Sequence, residues 1–116
     1  MHHVALEVVE GGADEDVAFW ALLGFEEVEP PGTLRSRSRW VERGGTQIHL
    51  LFAEAAPVVA PEGHVAVVAE DYDATLERLR EAGFEPEAHR EHWGAPRSFV
   101  TAPAGHRVEV MAAPPA

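Results

Sequence analysis

One phrase occurs twice in this chain, and it limits the folds available. His3-Val4-Ala5-Leu6 near the start reappears as His64-Val65-Ala66-Val67, 61 residues on. Each copy leads into a helix-like stretch and then a Gly-Phe-Glu. These are Gly24-Phe25-Glu26 and Gly83-Phe84-Glu85, 59 residues apart. Each half then closes on a strand-like segment with a metal-capable residue at its centre. These are Ile48-His49-Leu50 and Val108-Glu109-Val110, 60 residues apart. A near-constant offset across three landmarks is an internal repeat, and a repeat decides architecture before local propensity does. The chain reads as two copies of one β-α-β-β-β unit, an α+β arrangement.

At 116 residues the length suits one domain. Half-chains of under about 60 residues would be marginal apart. The expected division is module one at 1–53, a linker of Ala, Pro, Val and Glu at 54–62, and module two at 63–112. The absence of cysteine excludes disulfides, thiolate-held zinc, iron–sulfur clusters and thiol nucleophiles, so a bound metal would rest on His and carboxylate. The net charge is −11 and every basic residue is arginine, which argues against a nucleic-acid partner. No apolar run approaches the roughly 18 residues of a membrane helix. No signal-peptide pattern opens the chain, so the expected compartment is the cytoplasm.

The first segment alternates, with Val4, Leu6 and Val8 opposite His3, Ala5 and Glu7. Asp14, Glu15 and Asp16 suit the positive end of a helix dipole. Val17, Trp20, Ala21 and Leu23 suggest that helix's apolar face, and Gly24 its end. A short strand is expected at 26–29. A second is expected at 34–42, with Arg35, Arg37 and Arg39 on one face. Gly44-Gly45 marks a hairpin, followed by a strand at 46–52 with Gln47, His49 and Leu51 opposite Ile48, Leu50 and Phe52. The second half repeats the plan. A strand is expected at 63–69, then a helix capped by Asp71 or Asp73 with Tyr72, Leu76 and Leu79 inward and Gly83 at its end. A weak strand at 84–89, a polar loop at 90–96, strands at 97–101 and 106–111 and a frayed tail complete the chain. In this scheme His3, His49, His64 and Glu109 all face away from the helices, onto the open sides of their sheets. They share one cavity if the sheets curve into a cup.

These residues carry a resemblance. His3-Val4-Ala5-Leu6-Glu7-Val8, Phe19-Trp20-Ala21-Leu22-Leu23-Gly24-Phe25 and Gln47-Ile48-His49-Leu50 resemble the first half of a vicinal oxygen chelate protein. His64-Val65-Ala66-Val67, Trp93-Gly94-Ala95-Pro96-Arg97-Ser98-Phe99 and Gly105-His106-Arg107-Val108-Glu109-Val110 resemble the second half. This is the glyoxalase, bleomycin resistance and extradiol dioxygenase superfamily, and the resemblance spans residues 2–112. It implies paired β-α-β-β-β modules whose mixed, curved sheets form a cup around a divalent ion. It places the ligands at His3, His49, His64 and Glu109, with Ni, Zn, Mn or Fe(II) as the expected metals. It also implies a homodimer acting on a small molecule. Two departures stand out. His49 occupies a position where glyoxalase I-like members usually carry a carboxylate or Gln. Ala102-Pro103-Ala104-Gly105 replaces the family's Asp-Pro-x-Gly turn.

Two histidines and a carboxylate hold a divalent ion on one face and leave positions open for substrate. The resemblance implies lyase or isomerase chemistry on a small carbonyl compound, with Glu109 or His49 moving the proton and the ion stabilising enediolate-like charge. Extradiol-type dioxygenation, thiol transfer to an antibiotic and non-catalytic drug binding by a dimer are the alternatives. Around these residues, His2 is expected to alternate away from His3, and His106 shares parity with Val108. The three strand arginines suit either an anionic substrate or a solvated face. Arg97 suits the mouth of the cup. His89, His92 and Trp93 suit a specificity loop or plain exposure. Glu7 suits a solvated charge or a base. Trp40 and Phe99 hold equivalent positions in the repeat.

Overall fold

The alternation of the opening segment is realised as β1 (His3–Val9), in which Val8 is buried while His3, Ala5 and Glu7 are exposed. The structure, a computed structural model, describes residues 1–116 and divides into two compact units, Met1–Val58 and Val59–Ala116.

In the first unit a short 3-10 turn over Glu10–Gly12 leads into α1 (Ala13–Leu22). Then come β2 (Glu26–Val28), β3 (Ser38–Arg43) and β4 (Thr46–Ala53). The sheet order is β1-β4-β3-β2, with β1 parallel to β4 and the other pairs antiparallel. A parallel pair needs a crossover, which α1, β2 and β3 supply. The inward face of α1 is Ala13, Asp16, Phe19, Trp20 and the following Leu23. That stripe is rotated from the expected one, since Ala21 is exposed and Val17 only half-buried. The largest aromatics choose the face: Trp20 and Phe19 are fully buried, and the Trp20 indole N–H donates to Asp16. Gly24 ends the helix at φ +89°, a left-handed conformation that costs a residue without Cβ little. In the sheet, Val41, Ile48 and Leu50 are all buried, as the alternation requires.

The segment before β3 departs from expectation. Residues Gly32–Ser36 form a 3-10 turn, so Arg35, Arg37 and Arg39 do not share one strand face. The Ser36 and Ser38 hydroxyls donate back to the Thr33 and Leu34 carbonyls, a local hydrogen bonding that competes with the ladder. Arg35 pairs with exposed Glu29. Arg39 forks between Glu27 on β2 and Asp14 on α1, tying helix to sheet.

The second unit repeats the topology as β5 (His64–Val68), α2 (Tyr72–Glu81), β6 (Glu87–Ala88), β7 (Arg97–Thr101) and β8 (Arg107–Met111). The order is β5-β8-β7-β6, with β5 parallel to β8. Asp71 caps α2 by accepting from the Ala74 N–H, and Gly83 ends it at φ +94°. Leu76, Leu79 and Thr75 are buried, as are Val108 and Val110 of β8. The Tyr72 hydroxyl meets the Ser98 hydroxyl at 2.6 Å, joining α2 to β7. The start of the tail is anchored twice, where the Ala112 N–H donates to the Pro96 carbonyl and the Trp93 indole donates to the Ala113 carbonyl. These bonds also tie down the 90–96 loop. No helix is long and apolar enough to cross a membrane.

Candidate functional site

Strand register places the candidate donors in matching positions of the two modules. In module one Ala5 lies opposite His49, so His3 is two residues before that partner on the neighbouring strand. In module two Ala66 lies opposite Glu109, and His64 holds the same offset. On the next strand Trp40 lies opposite His49 and Phe99 opposite Glu109. In each module the first-strand histidine is exposed, while the closing-strand donor is buried, His49 at 7% exposure and Glu109 at 6%.

In module one His49 is sandwiched. Trp40 stacks on it at 3.7 Å between ring centroids, and His3 stacks on it at 3.9 Å. Burial, with smaller contributions from His3 and His2, holds the His49 imidazolium below the usual histidine range, so the ring is neutral at pH 7. Which nitrogen carries the proton follows from its neighbours. The Gln47 amide N–H donates to Glu42 Oε1 at 3.0 Å, which turns the amide oxygen to His49 Nε2 at 2.8 Å. An amide oxygen only accepts, so Nε2 carries the proton and Nδ1 the lone pair. His2 joins this group. It precedes β1 and so escapes strand alternation, contrary to the expectation that it faces away. Its Nδ1 lies 2.9 Å from His3 Nδ1, and its ring centroid lies 6.2 Å from that of His49. Ligand atoms of His2, His3 and His49 all lie within 4.8 Å of one another. Glu7 is exposed on the same strand face as His3.

In module two His64 and Glu109 meet directly, Nε2 to Oε1 at 3.1 Å. The Glu62 carbonyl accepts from His64 Nδ1 at 2.8 Å, so a neutral His64 presents its lone pair at Nε2. Arg97 Nη1 donates to the other oxygen of Glu109 at 3.3 Å, and its Nε donates to the Arg90 carbonyl. Beside this group the open face holds a cavity of about 480 Å³, lined in part by His89, Phe99, Thr101 and Arg107. The Arg107 guanidinium lies on the Phe99 ring, 3.7 Å from its centroid, and its nearest carboxylate, Glu62, is 3.9 Å away. His106 precedes β8 and accepts the Ala102 N–H at its carbonyl. His92 is exposed in the loop.

Sequence reasoning did not single out Glu42 and Gln47, the Glu62 carbonyl, or Arg97 as the partner of Glu109. One signal was present: Gln47 sits two residues before His49, on the same strand face.

The sequence profile of the Glyoxalase/Bleomycin resistance protein/Dioxygenase superfamily matches residues 1–110, and the chain belongs to that superfamily. A glyoxalase family protein from Bacillus anthracis shares 26% identity at a TM-score of 0.85, with 96% of this chain and 92% of that one covered. Lactoylglutathione lyase from Agrobacterium tumefaciens shares 23% identity at a TM-score of 0.70, covering 96% and 91%. A variant of the fosfomycin resistance protein FosX from Listeria monocytogenes, complexed with Mn(II) and 1S,2S-dihydroxypropylphosphonic acid, shares 19% identity at a TM-score of 0.77, covering 98% and 90%. These last two likenesses are likenesses of fold. No curated protein matches the chain in sequence.

Imidazole and carboxylate are donor types that can hold a divalent ion. Neighbouring ligand atoms at the usual ~2.0–2.2 Å from an ion lie roughly 3 Å apart. His64 Nε2 and Glu109 Oε1 have that spacing at 3.1 Å. In each module a partner outside the donor pair fixes an imidazole tautomer, as is usual around metal-bound histidine. The His3–His49 stack does not by itself fit a shared ion: parallel rings do not aim both lone pairs at one point, so such an ion would require exposed His3 to pivot about buried His49.

Proposed function

We propose that this chain is a metal-dependent enzyme of lyase or isomerase type, acting on a small carbonyl or otherwise oxygenated compound. His3, His49, His64 and Glu109 hold the divalent ion, drawn from one chain or from two chains of a homodimer in the cytoplasm. The observation that carries this reading is the matched register of His3 with His49 and of His64 with Glu109. Two modules of different sequence put donor atoms at equivalent positions of two separate sheets.

A bound divalent ion supplies Lewis-acid polarisation of paired substrate oxygens. The protein's own groups do the rest. Neutral His49 has its Nε2 proton committed to Gln47 and so has one lone pair, at Nδ1: as a ligand it gives that lone pair to the ion and leaves the proton step to Glu109, and as a non-ligand it accepts the proton there itself. Glu109 is the second candidate proton carrier. Arg97 donates to one of its oxygens, which fixes the carboxylate's orientation, and the other lies 3.1 Å from His64 Nε2.

A test follows from the proton step. The chain, supplied in turn with Ni(II), Zn(II), Mn(II) and Fe(II), is incubated with small 2-oxoaldehydes and 2-hydroxyketones in D2O. NMR then follows exchange of the hydrogen α to the carbonyl. The reading expects metal-dependent exchange that His49→Ala or Glu109→Ala abolishes. Absence of exchange across the panel argues for the second reading, a binding protein without chemistry. The module two cavity favours that alternative, because its volume falls within the range of small-molecule sites and needs no metal.

A further inference from the structure

We infer that module one carries a transition-metal site that is complete in itself, with His2 as the third imidazole beside His3 and His49. The inference deepens the reading above and rests on it for His3 and His49 as donors. It adds His2 as a donor, so that the three imidazoles keep the ion, more weakly, when His64 and Glu109 are removed. The ligand class is a divalent first-row cation that accepts nitrogen donors, with Ni(II) as the probe.

Three observations carry it. First, donors of the right type lie close together, since one nitrogen from each of the three rings lies within 4.8 Å of the others. Imidazole suits Zn, Cu, Fe and Ni, and three such donors leave positions open for water or substrate. Second, the His2–His3 spacing fits. Two nitrogens bound at ~2.0–2.1 Å and about a right angle apart are separated by about 2.9 Å. His2 Nδ1 and His3 Nδ1 are 2.9 Å apart, on rings inclined at 89°. A neutral pair can fill that gap with one hydrogen bond; a cation fills it by taking both lone pairs. Third, the His49 tautomer is set before any metal arrives. The Glu42–Gln47–His49 chain of hydrogen bonds protonates Nε2 and leaves Nδ1 as the donor. His49 is buried and stacked on Trp40, so it is the rigid member. His2 and His3 are exposed and supply the adjustment.

The test uses the full chain without a polyhistidine tag, stripped with a chelator and titrated calorimetrically with Ni(II). Four proteins are compared: the unaltered chain, His2→Ala, the double variant His64→Ala/Glu109→Ala, and the triple variant that adds His2→Ala. Circular dichroism establishes that each is folded. The inference expects the double variant to retain one Ni(II) per chain, at lower affinity than the unaltered chain. It expects His2→Ala in that background to weaken binding roughly 10-fold or more, the least that loss of even an outer-shell partner costs. If the double variant binds no Ni(II) while the unaltered chain does, the inference fails and the four-donor reading stands. If the double and triple variants bind equally, His2 is not a ligand and the inference fails. If the unaltered chain binds nothing, both readings fall.

Discussion

The two modules share a scaffold and differ in what surrounds their donors. Both place an exposed histidine on the first strand and a buried donor on the closing strand, with an aromatic residue of the third strand opposite the buried one. In module one the buried donor is a neutral imidazole, oriented by a side-chain amide and covered by the Trp40 ring. In module two it is a carboxylate, oriented by Arg97, and the equivalent ring of Phe99 is occupied by Arg107. The helix ties differ in the same sense. Arg39 joins β3 to Asp14 of α1 through charge, whereas Ser98, its counterpart in register, joins β7 to Tyr72 of α2 through neutral hydroxyls. Register therefore fixes where a donor sits, and the next layer fixes its charge and tautomer.

The comparison can be broken in four places. The largest effect is expected in the cores. Trp20→Ala should cost about 3–5 kcal/mol, at or above the ~2–5 kcal/mol of Leu79→Ala, because α1 relies on one large buried ring. Urea unfolding measures both, and a loss under ~1 kcal/mol at Trp20 would remove it as the anchor of module one. Next, Arg97→Ala should cost about 3 kcal/mol by leaving the Glu109 carboxylate short of a partner. Replacing both, as Arg97→Met with Glu109→Leu, should recover most of that loss. A double variant as unstable as the single would show that charge is not what distinguishes module two.

Gln47→Ala comes third, at about 1 kcal/mol, since it removes a neutral hydrogen bond and no charge. Its sharper readout is the long-range 15N NMR of His49. The unaltered protein should show an Nε2–H ring, and the variant a tautomer mixture. Smallest is the Arg39 tie, on the order of 0.2–1 kcal/mol because its partners are largely solvated. The hydrogen bond from Arg39 holds the Glu27 carboxyl below its ordinary range. Folding thus favours the ionised form, and the contribution is complete above the usual carboxylate pKa. It disappears as pH falls through the lowered folded value. The stability gap between the unaltered chain and Glu27→Gln should therefore narrow in acid and in high salt. The gap for Tyr72→Phe should respond to neither.

Much of this was legible in the chain before its structure. The repeat gave two modules, and alternation gave the open faces of His3, His49, His64 and Glu109, because a strand's side-chain period admits no drift. The failures have local causes. Ser36 and Ser38 turned backbone carbonyls into hydroxyl partners and made a 3-10 turn where alternation suggested strand. On α1 the volume of Phe19 and Trp20 set the buried face, which a hydrophobic stripe alone misplaced. His2 lies one residue outside β1, where parity stops applying. The Glu42–Gln47–His49 chain runs between two strands, so its upper half becomes visible only once β3 and β4 are paired.

The central claim is that the four matched positions are metal-donor positions. It is tested most directly by equilibrium Ni(II) affinity of the untagged chain against His3→Ala, His49→Ala, His64→Ala and Glu109→Ala, with His92→Ala and His106→Ala as controls. The account predicts stoichiometric uptake by the unaltered chain, roughly 10-fold or greater weakening at each of the four positions, and no change in the controls. No uptake of Ni(II), Zn(II), Mn(II) or Fe(II) by the unaltered chain, or equal losses in the controls, would contradict it.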